Sequence, residues 1–61
     1  MKYTGERNSS GERHGQGIMT YVDGSKYTGE WQDGEMHGQG AMTYAGGRTF
    51  TGVWTDGERV P

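Results

Sequence analysis

The feature that most restricts what this chain can fold into is an internal repeat. The stretch Tyr27-Thr-Gly-Glu-Trp-Gln-Asp-Gly-Glu-Met-His-Gly-Gln-Gly-Ala-Met-Thr-Tyr44 restates Tyr3-Thr-Gly-Glu and then Gly-Glu-Arg-His-Gly-Gln-Gly-Ile-Met-Thr-Tyr21, and Phe50-Thr-Gly-Val-Trp54-Thr-Asp-Gly57 begins a third copy. The period is 23 residues, with one extra residue in the first copy, where Arg7-Asn8-Ser9-Ser10 stands against Trp31-Gln32-Asp33. Twelve of the thirteen glycines fall at equivalent positions, Gly46 being the exception. Scattered glycines at this density would indicate a flexible tract. Glycines in register indicate stacked copies of one supersecondary unit.

The unit is a β-hairpin. Turn signals stand at Ser10-Gly11, Asp23-Gly24, Asp33-Gly34, Gly46-Gly47 and Asp56-Gly57, with Thr, Tyr, Trp and Val between them. They predict an all-β chain: a single-layer antiparallel meander, twisted and elongated, with five strands near residues 2–8, 12–21, 25–32, 35–44 and 48–55. The 61 residues then form one domain, with repeats at 3–26 and 27–49 and a partial repeat at 50–61. Only 28% of the chain is apolar, too little for a thick two-layer core.

Register follows from parity. A two-residue turn at Asp33-Gly34 predicts Trp31 opposite Met36, Gly29 opposite Gly38 and Tyr27 opposite Gly40. For Phe50-x-Gly52-x-Trp54 to face the same side as Tyr27-x-Gly29-x-Trp31, the loop between copies must have an odd length. Three-residue loops at Val22-Asp23-Gly24 and Ala45-Gly46-Gly47 satisfy this, and the inserted residue gives copy one a similar loop at Ser9-Ser10-Gly11. The pairs across copies are then Met19 with Tyr27, Gly17 with Gly29, Gly15 with Trp31, Met42 with Phe50, Gly40 with Gly52 and Gly38 with Trp54.

One face of this sheet carries all seven aromatic residues, Tyr3, Tyr21, Tyr27, Trp31, Tyr44, Phe50 and Trp54, together with Met19, Met36 and Met42. Gly15, Gly17, Gly29, Gly38, Gly40 and Gly52 are structural, a floor over which the rings lie. Such a face is both the only available core of a single sheet and, where it stays open, a binding surface for a partner. Thr4, Glu6, Thr28, Glu30, Gln39, Thr43 and Thr51 occupy the other, solvent-facing side.

The pattern resembles the MORN (membrane occupation and recognition nexus) motif, Tyr-x-Gly-x-Trp-x-x-Gly-x-x-His-Gly-x-Gly followed by an apolar-aromatic strand and a further glycine. Tyr27, Gly29, Trp31, Gly34, His37, Gly38 and Gly40 match it throughout. Copy one has Arg7 in place of the tryptophan, and copy three has Val60-Pro61 in place of His-Gly. The resemblance implies an elongated meander of hairpins in which these residues are chiefly structural. It further implies a non-catalytic scaffold for protein contacts and homodimerisation, or an accessory segment beside a catalytic domain such as a kinase or methyltransferase. Phospholipid binding has also been attributed to such arrays.

Other chemistries are disfavoured. His14 and His37 fall on the polar face opposite Glu6 and Glu30, on strands two apart, so about 9–10 Å separates them and no shared metal ion is expected. The Gly-x-Gly pairs at 15/17 and 38/40 lack the third glycine and following helix of a nucleotide loop. No acidic pair has an associated nucleophile, so neither catalytic residue nor cofactor is expected. The formal charge of −2 is spread over both signs, which argues against nucleic acid and weakens phospholipid binding. There is no cysteine and no apolar run of signal-peptide or membrane-span length. The expectation is a cytoplasmic binding module, reaching membranes through a partner, that docks a protein, pairs with itself as a dimer, or both.

Overall fold

Turn chemistry lays down the ladder. Asp33 and Gly34 take φ of 50° and 89°, and Asp56 and Gly57 take 51° and 86°. Two successive positive φ values make a type I′ turn, whose twist matches that of the strands it joins. The computed structural model, described for residues 1–60, forms one antiparallel sheet of six strands in chain order. These are β1 (Lys2–Arg7), β2 (Arg13–Thr20), β3 (Lys26–Gln32), β4 (Glu35–Thr43), β5 (Thr49–Thr55) and β6 (Glu58–Arg59). The molecule measures 35 × 25 × 13 Å, the thickness of one sheet with its side chains.

Five strands were expected and six are present. Asp56-Gly57 closes a hairpin of the same kind as Asp33-Gly34, and the two residues of β6 pair back on Trp54 and Thr55.

Between copies the register is the one parity requires: Met19 faces Tyr27, Gly17 faces Gly29 and Gly15 faces Trp31, while Met42 faces Phe50, Gly40 faces Gly52 and Gly38 faces Trp54. The three-residue loops close as expected, Tyr21 N donating to Ser25 O at 2.8 Å, Tyr44 N to Arg48 O at 2.7 Å and Asn8 N to Glu12 O at 2.9 Å.

Within a copy the expected register fails beyond the first pair. Trp31 does face Met36, but Gly29 faces Gly40 rather than Gly38, and Tyr27 faces Met42 rather than Gly40. A bulge accounts for the difference: His37, Gly38 and Gln39 together span the width of Glu30, and Gly38 lies at φ 77°. Copy one has the same irregularity between Gly5 and Arg7, with Gly15 at φ 79°. The offset is two residues, so no side chain changes face.

Neighbouring copies are tied by more than strand pairing. Gly34 N donates to Arg13 O at 2.9 Å and Gly57 N to Met36 O at 3.0 Å, so each type I′ turn is fastened to the copy before it.

Candidate functional site

The repeat places its rings so that they cover one another. Tyr27 sits over Gly40, whose missing β-carbon leaves room for the ring and hydroxyl, and Tyr3 sits in the same way over Gly17. Each tyrosine hydroxyl then donates to its own strand, Tyr3 Oη to Glu6 O at 2.7 Å and Tyr27 Oη to Glu30 O at 3.0 Å. Each tryptophan reaches back one copy: Trp31 Nε1 donates to Gly17 O at 3.2 Å and Trp54 Nε1 to Gly40 O at 3.4 Å. Motif tyrosine, glycine and tryptophan thus form one joint between successive copies.

Repetition of that joint yields a continuous edge-to-face row, Tyr3–Trp31–Tyr27–Trp54–Phe50, with centroid separations of 5.5, 5.1, 5.4 and 5.9 Å. Edge-to-face contact sets the positive rim of one ring against the negative face of the next. Guanidinium groups close both ends, Arg7 lying 4.9 Å from the Tyr3 centroid and Arg59 4.6 Å from that of Phe50. Arg13 lies 5.0 Å from the Trp31 ring and also donates to Gly34 O at 2.9 Å. In copy one Arg7 stands at the tryptophan position and folds back to Gly11 O at 2.8 Å.

Of the residues marked as a binding face, Met19, Tyr27, Trp31, Met42 and Trp54 are buried by the chain itself, at 8% exposure or less. Tyr3, Tyr21 and Phe50 are partly buried against them, and Tyr44 is exposed. The structural glycines Gly15, Gly17, Gly29, Gly38, Gly40 and Gly52 all lie in strands of this sheet, and a β-carbon at any of them would press on a neighbour. At Gly15 and Gly38 that neighbour is the carboxylate of Glu6 or Glu30, which lies across the bulge.

What remains accessible is the border of the row. A hollow of 450 Å³ at the loop end is lined chiefly by Met1, Tyr21, Val22, Met42 and Tyr44, with Val22 88% and Met1 76% exposed. A second hollow, of 550 Å³, lies among Tyr44, Arg48, Thr49, Phe50 and Arg59. Sequence reasoning marked Arg7 as a departure from the motif and counted Arg48 and Arg59 only within a charge balanced by acids, so it did not place Arg7 and Arg59 at the ends of the row.

His14 and Asp33 approach across neighbouring hairpins, Asp33 N donating to His14 Nδ1 at 3.4 Å. Among the described residues, no three histidine, cysteine or carboxylate side chains converge as a metal site would require.

A tyrosine seated on a glycine floor, with a tryptophan bonded back to the previous copy, accounts for the aromatic and strand-glycine positions of the motif. The MORN repeat model matches residues 9–26 and 27–47. The chain belongs to the MORN repeat family. No curated protein matches it. MORN repeats are in general non-catalytic modules often involved in binding, and in this one the motif's aromatic residues and strand glycines build the sheet.

Proposed function

We propose that this MORN chain is a non-catalytic scaffold that binds protein, by docking a partner, by pairing with itself, or by both. The observation that carries this reading is the combination, among the described residues, of unpaired backbone along β1 and along the part of β5 that β6 leaves uncovered, with accessible aromatic borders beside them. Unpaired backbone donors and acceptors are a template for another strand. Apolar side chains as open as Val22 and Met1 find cover only from outside the chain. The motif's tyrosines, tryptophans and strand glycines are taken up by packing between the copies.

Light scattering over a range of concentration, run beside co-sedimentation with phosphatidylserine vesicles, tests the reading. A molar mass that rises with concentration, with the chain absent from the vesicle pellet, is the expected result. Strict monomers that sediment with vesicles would transfer the function to lipid.

A further inference from the structure

Two departures from the repeat meet a third-copy arginine at one corner of the sheet. Gly46 stands where copy one has Asp23 and Arg48 where it has Ser25, while Arg59 takes the position of Arg13 in copy one and of Met36 in copy two. In copy one the loop satisfies itself: Ser25 N donates to the Asp23 carboxylate at 2.9 Å. In copy two the acid is gone and a guanidinium replaces the serine. The fold does not require this change, since copy one closes the same three-residue loop without it.

Arg48 and Arg59 line the 550 Å³ hollow with Tyr44, Thr49 and Phe50, and no carboxylate shares that lining. Among the described residues no lysine or arginine comes within ion-pair distance of a carboxylate, the one close approach being His14 Nδ1 to Asp33 Oδ1 at 3.9 Å, so neither arginine has an acidic partner among them. The adjoining edge is open as well. Tyr44 N bonds to Arg48 O, and in an antiparallel ladder the bonded residues alternate, so 48, 50, 52 and 54 spend their backbone groups on β4. Residues 49, 51 and 53 turn theirs outward. Val60 N takes Val53 O at 2.9 Å, and among the described residues no strand lies beside Thr49 and Thr51, whose N–H and C=O face outward.

We infer that this corner docks a short, extended, acidic segment of a partner protein, which adds as a strand beside Thr49–Thr51 and sets its carboxylates against Arg48 and Arg59. The inference rests on the reading of the chain as a protein-binding module and assigns one site within it. A strand edge recognises peptide backbone, which a lipid headgroup lacks. A second copy fits poorly, because two-fold pairing of β5 strands would gather four guanidinium groups along one short seam, and no carboxylate lines the hollow there to offset them. A guanidinium can hold a carboxylate by two parallel hydrogen bonds, so the pair supplies both charge and direction.

The test uses the whole chain and a short fluorescein-labelled peptide of alternating glutamate and valine, followed by anisotropy. Saturable binding is expected, and none by the lysine–valine counterpart. Arg48→Ala should weaken binding by about tenfold, the worth of one charge-assisted hydrogen bond. Because Arg48 is exposed and contacts no ring, this variant keeps the fold, as circular dichroism would verify. Arg59→Ala also removes the stack on Phe50 and serves only as support. Two further peptides carry N-methyl groups on one or the other alternate set of residues, and strand addition requires that one set abolish binding and the other spare it. Equal binding of acidic and basic peptides, an unchanged affinity in Arg48→Ala, or equal tolerance of both methylated sets would overturn the site. So would a dimer, or a vesicle interaction, that depends on Arg48 while the acidic peptide stays unbound. If the acidic peptide binds neither the parent nor Arg48→Ala while the chain still associates with protein or with itself, the binding-module reading survives and this site falls.

Discussion

Tyr27 has two separable parts, a ring that fills the joint between copies and a hydroxyl that must stay neutral. The residue is fully buried, and burial, with the charge of Glu30 adding to it, pushes the phenol up to about 12 from the ordinary 10.0. The unfolded chain therefore releases this proton at lower pH than the folded one. Its stabilising contribution is complete below pH 10 and is lost as pH rises through about 12. Tyr27→Phe separates the two parts, and Phe50 at the matching position of copy three shows that the ring alone is accommodated. The variant should lose about 1 kcal/mol at neutral pH, the worth of one hydrogen bond, and show a shallower fall in melting temperature across the alkaline window. An unaltered alkaline profile would mean that Tyr27 ionises freely. The floor beneath the ring is tested by Gly40→Val, which places methyl groups where the Tyr27 ring and hydroxyl lie. That overpacking should cost at least about 2 kcal/mol, although valine is the better strand residue in isolation. Thr43→Val, which gives up only a 3.5 Å hydroxyl contact with Thr49, should change stability by less than about 1 kcal/mol. Equal melting temperatures for these two variants would refute the seating of Tyr27 on Gly40.

At the scale of the hairpin, the bulge was the part of the fold that the alternation of residues could not show. Parity fixed the register between copies, because an even-numbered loop would have turned Phe50 and Trp54 to the wrong side of the sheet. The bulge adds two residues to β4, and a shift of two leaves Met36, Gly40 and Met42 on the face they would have occupied without it. Apolar patterning is blind to such a shift. What did mark it was Gly38 itself, a glycine inside a strand with no ring above it, and the motif's His-Gly pair is legible in hindsight as the bulge signature. The same blindness applied to β6, whose Asp56-Gly57 turn repeats Asp33-Gly34 but is followed by only two paired residues. Of the site, the row of rings was legible as a shared face; the depth of its burial was not, because mutual edge-to-face cover depends on ring tilt rather than on which side a residue faces. Two alanine substitutions test the bulge. Gly38→Ala would force a left-handed backbone and crowd the Glu30 carboxylate, and should cost about 1–3 kcal/mol. Gly46 has open space around it and no positive φ, so Gly46→Ala should be neutral or stabilise by up to about 1 kcal/mol through the unfolded chain. Urea denaturation of the pair would reveal the contrast, and the opposite order would rule out the bulge.

The whole molecule is a sheet whose core is nearly finished and whose edges are not, and this asymmetry determines how it should associate. Trp31 and Trp54 are 5% and 4% exposed within one chain, so iodide should quench their fluorescence weakly at every concentration. Stacking of two aromatic faces would therefore gain little further burial of the tryptophans. Edge pairing gains more, and the two edges differ. At β5 a two-fold partner would gather four guanidinium groups along one short seam. At β1 the outward backbone groups belong to Tyr3, Gly5 and Arg7, by equivalence with Tyr27, Gly29 and Trp31, which bond to β2. Antiparallel pairing of two β1 strands centred on Gly5 would set Tyr3 of each chain opposite Arg7 of the other, extending the guanidinium-over-ring contact that already closes this end at 4.9 Å. Two-fold symmetry is the commonest closed arrangement for identical chains. The expected outcome is a dimer whose formation slows hydrogen exchange at the Tyr3 and Gly5 amides as concentration rises, with Thr49 and Thr51 still exchanging quickly. Slow exchange confined to Thr49 and Thr51 would move the dimer to β5 and count against the acidic-peptide site. Monomers at millimolar concentration, with Tyr3 and Gly5 exchanging at the rate of open peptides, would show that β1 tolerates being an edge and that this chain works by docking other proteins alone.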